Sequence, residues 1–237
     1  MVARTLSALD KEITNCRKCP RLVQWREEVA VTKRRAYIGE KYWGKAITSF
    51  GAEDAKLLIV GLAPGAHGAN RTGRVFTGDS SGDWLFASLH RLGIAKIGTS
   101  TSRDDGQELK KTRISIAVRC APPGNKPTTE ERDTCAPYFL RELQLLQPTV
   151  RAFVPLGAFA WGVLIASLKE IGHAVPNGKF AHGAKLQYTH KGVQYLIIGS
   201  YHVSQQNTFT GKLTESMLDK VMKEAAEFAG VIKSKKK

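Results

Sequence analysis

The sequence predicts an α/β fold: a three-layer α/β/α sandwich with a mainly parallel central sheet and helices on both faces. Three observations predict it. Short apolar runs alternate along the chain with longer segments of helical period. Those runs are apolar throughout, as strands covered on both sides are, and lack the alternation of a sheet with one wet face. Hydrophobic residues make up 42% of 237 positions, enough for a buried core and too many for a disordered chain. Residues 1–237 read as one domain. There is no internal repeat, and the basic tail 233–237 is expected to be disordered.

The elements follow in order. Residues 5–15 form a short helix with Leu6, Leu9 and Ile13 on one face. Residues 56–60 are the first buried strand, ending at Gly61. Residues 81–92 form a helix: Ser80 and Asp83 give a capping pattern, Leu85, Leu89 and Leu92 give a face, and Gly93 stops it. Residues 99–111 are a polar surface loop, and 114–118 are the second strand, which runs into Arg119 and Cys120. Thr128 and Glu131 form a capping box for a helix that ends near Leu146, before Pro148. Residues 150–156 are the third strand, followed by a helix at 158–169 and an irregular stretch rich in Gly and His at 171–185. Residues 186–188 pair with 194–200, the fourth apolar run, which exits through Tyr201-His202-Val203-Ser204. A last helix covers 214–229, with Met217, Val221 and Ala225 inward and Gly230 as its stop.

Charge narrows the partners. Lys and Arg number 36 against 21 Asp and Glu, a net charge of +15. Residues 11–45 alone hold ten basic side chains against four acidic ones. Such a balance points to a polyanion. A membrane protein is excluded: the longest uncharged run, 152–168, is too short and is broken by Pro155 and Gly157. The opening residues lack the apolar core of a signal peptide, so a cytoplasmic protein is expected.

In a parallel sheet, ligands bind beyond the carboxyl ends of the strands. The loop at 61–79 is rich in glycine, which lets backbone N–H groups approach a ligand, yet it matches neither the P-loop nor the dinucleotide fingerprint. It carries His67, Asn70, Arg71, Arg74, Phe76 and Asp79, an inventory that suits a planar polar ring with a phosphate backbone and equally suits a long turn held by side chains. In the loop at 120–127, Asn125 sits among prolines that hold its amide in one orientation, where it can read the edge of a base. His202 leaves the fourth strand, where a neutral imidazole can donate to an oxygen that gains negative charge. Asn207, Thr208, Thr210 and Lys212 add polar and basic groups after it.

Four cysteines are too few for a disulfide scaffold. Cys16 and Cys19 form a C-x2-C unit, while Cys120 and Cys135 lie far downstream. Spacing alone leaves zinc, iron–sulfur and unligated buried thiols open. A thioredoxin-type pair is disfavoured, because no βαβ unit accompanies Cys16.

Taken together, GLAPGAHGANRTGRVFTGDSSG (61–82), RCAPPGNKP (119–127), HVSQQNTFTGKLT (202–214) and the four cysteines resemble the uracil-DNA glycosylase superfamily, most closely its broad-specificity type-5 branch. The resemblance spans nearly the whole chain in order. It implies a monomeric enzyme that hydrolyses the N-glycosidic bond of uracil, hypoxanthine and other damaged bases in DNA. It also implies a [4Fe–4S] cluster on Cys16, Cys19, Cys120 and Cys135. Catalysis would fall to Asp79, His202 and Asn125. Asp79 would stabilise the sugar cation or activate water, with a helix N-cap as its structural alternative. His202 would stabilise the departing base, and Asn125 would read its edge. Ala63, Gly65, His67 and Phe76 would line the base pocket, with Phe76 stacked on the ring. Asn70, Arg71, Arg74, Lys126, Gln206, Asn207 and Lys212 would contact DNA, with Gln206 or Phe209 filling the space left by the flipped base. One departure stands out: where other branches carry a polar or acidic residue just after the first Gly, this chain has Leu62 and Ala63. The third motif reads His-Val-Ser in place of His-Pro-Ser, which favours type 5 over type 4. The competing reading is a non-catalytic, metal-containing nucleic-acid-binding module.

Overall fold

In the computed structural model, which describes residues 4–234, the run Leu57–Gly61 is buried at every position. Its side chains divide with the two-residue period of a strand. Leu57 and Ile59 join one apolar cluster, Leu58 and Val60 another. This strand therefore needs cover on both faces, which accounts for the missing polar alternation.

The cover comes from helices. The chain runs α1 (Leu6–Thr14), α2 (Pro20–Thr32), β1 (Phe50–Gly51), β2 (Leu57–Gly61), α3 (Ala69–Thr72), α4 (Ser80–Arg91), β3 (Thr112–Ile116) and α5 (Thr129–Leu146). It continues through β4 (Ala152–Pro155), α6 (Ala158–Glu170), β5 (Lys185–His190), β6 (Val193–Ile198), α7 (Gln205–Phe209) and α8 (Glu215–Phe228). Leu85, Phe86 and Leu89 of α4 and Leu218, Val221 and Met222 of α8 cover one face. Phe139, Leu143 and Leu146 of α5 and Trp161, Leu164 and Leu168 of α6 cover the other. The sheet order is β1-β3-β2-β4-β6-β5. β3, β2, β4 and β6 run parallel, and β1 and β5 close the edges antiparallel.

The expected α/β sandwich is present, and the differences are local. α2 was not foreseen. Pro20 opens it, but buried Arg26 interrupts the apolar stripe of Leu22, Val23 and Val29, so no helical period is visible. The short elements β1, α3 and α7 were also not foreseen. The N-cap of α4 is Asp79, which accepts from the Gly82 amide, and not the expected Ser80 and Asp83 pair. The capping box of Thr128 and Glu131 forms on α5. The uncharged run 152–168 resolves into β4, a turn at Gly157 and α6, and among the described residues no helix is long and apolar enough to cross a membrane. Of the tail expected to be disordered, Lys233 and Ser234 are exposed, and residues 235–237 lie outside the described residues.

Candidate active site

From β2 the chain passes to β3 on one side, then crosses back to β4 on the other. That reversal makes the carboxyl end of β2 the switch point, where a crevice opens in sheets of this kind. The loop of residues 61–79 leaves from there. The backbone ladder continues past the strands: the amides of Ala117 and Val118 donate to the carbonyls of Gly61 and Leu62, and that of Gly157 donates to Ser200. The four exit loops are thus held side by side.

Asp79 is fixed twice. One carboxylate oxygen accepts from the Gly82 amide at 3.0 Å, which caps α4. The other lies against bare backbone: a Cβ on Gly68 would stand 1.8 Å from it, and one on Gly65 2.9 Å. The glycines of this loop are therefore a steric requirement of the carboxylate. Burial pushes the Asp79 carboxyl above its ordinary value, and the Gly82 amide pulls against that shift.

Phe76 lies in the same loop as Asp79 and meets the ring of His202. Its carbonyl lies where a Cβ on Gly82 would stand, its ring packs on Gly61, and its φ of 49° is one that few side-chain-bearing residues adopt. The Phe76 and His202 rings face each other at 6.2 Å between centroids, tilted by 36°. Gly157 lies beside His202: a Cβ there would make ordinary contact at 3.5 Å from the His202 Cβ, and it is the φ of 93° that calls for glycine. Burial holds the imidazole below its ordinary value, so it is neutral at pH 7 and carries one N–H donor.

Asn125 ends the short turn Pro123–Asn125 after β3, with φ 58°, and its side chain is exposed and makes no hydrogen bond. Ala63, Gly65 and His67 are half-buried along the first loop. His67 Nδ1 lies 3.1 Å from the hydroxyl of Tyr42. Lys126, Gln206 and Lys212 are exposed, and Lys212 lies over the Tyr201 ring at 5.0 Å. Asn207 uses its amide on the carbonyl of His202 at 2.8 Å, so it positions the loop.

Three expected DNA contacts are corrected. Arg71 is buried: its guanidinium binds Glu40 at 2.5 Å and the carbonyls of His67 and Gly78, and it stacks on Tyr37. Arg74 is buried against Asp105 at 2.5 Å, Thr77 and Ser100. Asn70 is fully buried and donates to the carbonyl of Arg26. These side chains brace the loop from inside. Phe76, expected to stack on a base, is likewise buried within the protein.

The four cysteines are free thiols and border one small cavity together with Tyr138 and Arg119. Cys120 follows β3 and Cys135 sits in α5. A buried network joins those two elements: Glu142 accepts from Arg113 and Arg119 and from Ser49 and Ser115. Burial pushes Glu142 up, but Arg119 and Arg113 outweigh it and hold the group at about 2. Burial pushes the thiols of Cys120 and Cys135 to about 11 and about 12. Arg26, 1% exposed, has no carboxylate partner; it donates to Cys120 Sγ at 2.9 Å and to the Cys16 carbonyl at 3.0 Å, and its Nε is unpartnered. A buried cation of this kind calls for an anion, and ligating thiolates are anions. The residues present fit a thiolate-held metal group, although among the described residues no three His, Cys, Asp or Glu side chains are gathered as ligands of a metal ion. Sequence reasoning had missed Arg26, Tyr42 and Gly157. Only the cluster of charges around Arg26 gave any hint, and it pointed to a surface.

The chain has clear relatives. The profile of the Uracil DNA glycosylase superfamily matches residues 48–226. The Type-5 uracil-DNA glycosylase of Mycobacterium leprae is 49% identical over 229 residues, 97% of this chain and 98% of its relative. That of Thermus thermophilus is 47% identical over 226 residues, 94% of this chain and 98% of its relative. The Type-4 uracil-DNA glycosylase of Pyrobaculum aerophilum is more distant, 29% identical over 198 residues, 83% of this chain and 82% of its relative. Matched by the profile over most of its length and by type-5 relatives nearly end to end, the chain belongs to the uracil DNA glycosylase superfamily.

Proposed function

We propose that the chain excises uracil from DNA, and hypoxanthine and other damaged bases as well, by hydrolysing the N-glycosidic bond of a nucleotide turned out of the helix. The observation that carries this reading is the glycine-cradled carboxylate of Asp79 in the loop that leaves the switch point of the sheet, with the half-buried imidazole of His202 beside the Phe76 ring of that same loop. Near-full-length relatives named Type-5 uracil-DNA glycosylase support it. Bond cleavage leaves an oxocarbenium-like sugar and an anionic base. Asp79, the sole carboxylate of loop 61–79, faces the sugar and stabilises its charge or orients water. His202 donates its N–H to the base oxygen as negative charge grows there. Asn125, whose amide is otherwise unengaged, reads the base edge. We attribute tolerance of more than one base to the apolar Leu62 and Ala63 and the half-buried Gly65 and His67 of the first loop. Lys126, Gln206 and Lys212, exposed on the exit loops, meet DNA.

The proposed cofactor is a [4Fe–4S] cluster on Cys16, Cys19, Cys120 and Cys135. Support comes from the four thiols bordering one cavity with buried Arg119, and from buried Arg26 donating to Cys120 Sγ, surroundings that suit the thiolates of such a cluster. When bound, it supplies a cross-link between the segment before α2, the exit of β3 and α5. The whole chain acts as one monomeric unit in the cytoplasm.

The test is alkaline cleavage of end-labelled oligonucleotides carrying one uracil or one hypoxanthine, beside undamaged DNA. Abasic sites at both bases are expected. Release at uracil alone removes the broad specificity. Tight DNA binding with no base release from protein with its cofactor intact overturns the enzyme and leaves a binding module.

A further inference from the structure

The arginines of the glycine-rich loop are consumed inside the protein, which raises the question of what meets the phosphates beside the lesion. Residues 33–45, between α2 and β1, are fastened onto that loop. The amides of Trp43 and Gly44 donate to the carbonyls of Arg71 and Asn70. The hydroxyl of Tyr42 meets His67, and the ring of Tyr37 lies 3.9 Å from the Arg71 guanidinium. The indole of Trp43 covers the open face of Gly73. The one acidic group of the segment, Glu40, is neutralised by Arg71.

The cations of the segment are not neutralised. Arg34, Arg35, Lys41 and Lys45 are exposed, and among the described residues none of them forms an ion pair. Arg103 joins them from the loop after α4: its guanidinium sits 4.5 Å from the Trp43 ring, and Lys45 sits 5.6 Å from the same ring. The backbone amide of Arg34 donates to the Tyr42 hydroxyl at 3.3 Å, and that hydroxyl meets His67, which places Arg34 beside the loop that carries Asp79. A cleft of about 350 Å³ continues from Lys45 and Trp43 towards α2, where Arg17 and Glu27 pair. A row of unpaired cations, fixed by buried contacts to the loop of the proposed site, has the form of a phosphate track.

We propose that residues 33–45, with Arg103, form the surface that holds the sugar–phosphate backbone of DNA flanking the base in the site. The proposal deepens the reading of the chain as a DNA glycosylase and rests on it. The segment sets register and affinity and does not touch the bond that breaks. The loop arginines are its internal braces, and the exposed cations are its contacts.

The test uses the full chain with its cofactor and a uracil-containing duplex. Affinity is measured across a salt series for the wild type, for the combined Arg34→Gln, Arg35→Gln, Lys41→Gln, Lys45→Gln variant, and for a Lys169→Gln, Lys191→Gln control. The control positions lie at the opposite end of the sheet, near the end of α6 and in the β5–β6 turn. A lost phosphate contact flattens the slope of log K against log salt by about 0.9. The combined variant is expected to lose about 3.6 in slope. Arg103→Gln alone is expected to lose about 1. Slopes equal to wild type in both arm variants, or an equal loss in the control, overturn the proposal. The glycosylase reading fails separately, when the wild type binds this duplex and releases no uracil.

Discussion

The Asp79 carboxylate that caps α4 is the one proposed for the chemistry. One oxygen caps α4, and the other is held against the backbone of Gly65 and Gly68. Its position is therefore set by the start of a helix, and the charge it offers is preorganised. Arg26 is the corresponding residue at the cysteines. It is buried with no carboxylate, and its closest polar partner is Cys120 Sγ. If thiolates balance it, an apolar residue of similar length leaves their charge uncompensated. Arg26→Met is expected to purify with less iron, and to lose its visible absorbance faster in air than the wild type. Iron content equal to wild type, with equal persistence of the absorbance, removes Arg26 from that role.

At the scale of elements, the site depends on how closely backbones approach. A methyl group on Gly68 would displace the Asp79 carboxylate. A shift of about 1 Å in a reacting group costs about 10²-fold in rate. Gly68→Ala is expected to slow uracil release on that order in single-turnover assays, and to lower the thermal midpoint, because the displaced carboxylate also caps α4. A second prediction concerns the β5–β6 hairpin. His173 packs in parallel with His190 at 4.0 Å and meets the hydroxyl of Tyr188. Burial, with the charges of His190 and Lys191 behind it, holds His173 at about 4. Between the ordinary histidine value of about 6.5 and that value, the unfolded chain binds a proton that the folded chain does not. Stability is therefore lost as pH falls from about 6.5 towards 4, and this contribution levels off below. Urea midpoints of His173→Gln are expected to fall less than those of the wild type between pH 7 and pH 4.5. Equal falls contradict the assignment.

These elements also show what the sequence revealed. The strands were legible because a strand covered on both faces has to be apolar at every position, as in Leu57–Gly61. Helix α5 was legible from its capping box. Helix α2 was hidden because a buried arginine looks like a surface residue in the sequence. The same ambiguity affected Arg71 and Arg74, whose partners Glu40 and Asp105 are 31 residues away in each case. A charge in a sequence does not show whether its counter-charge is a phosphate or a distant carboxylate. Asp79 and His202 stand out in the sequence because the loops that leave strands of a parallel sheet are few and are where ligands bind.

At the scale of the whole molecule, a charge of +15 is divided between interior and surface. Arg26, Arg71, Arg74, Arg113 and Arg119 are buried and structural. Exposed cations near the carboxyl ends of the strands remain for a polyanion. The sheet reversal at β2 brings the glycine-rich loop, the β3 exit and the β6 exit to one end, and the four cysteines of the segment before α2, the β3 exit and α5 border one cavity. The central claim is that this end of the sheet cleaves a glycosidic bond through Asp79. The most direct test is single-turnover release of uracil by Asp79→Asn, with DNA affinity and thermal midpoint measured on the same protein. Asparagine is as good an N-cap as aspartate, so α4 keeps its start. Release is expected to slow by about 10²-fold or more, with the midpoint unchanged and DNA affinity within about threefold of wild type. Release at the wild-type rate would contradict the account and leave Asp79 a helix cap.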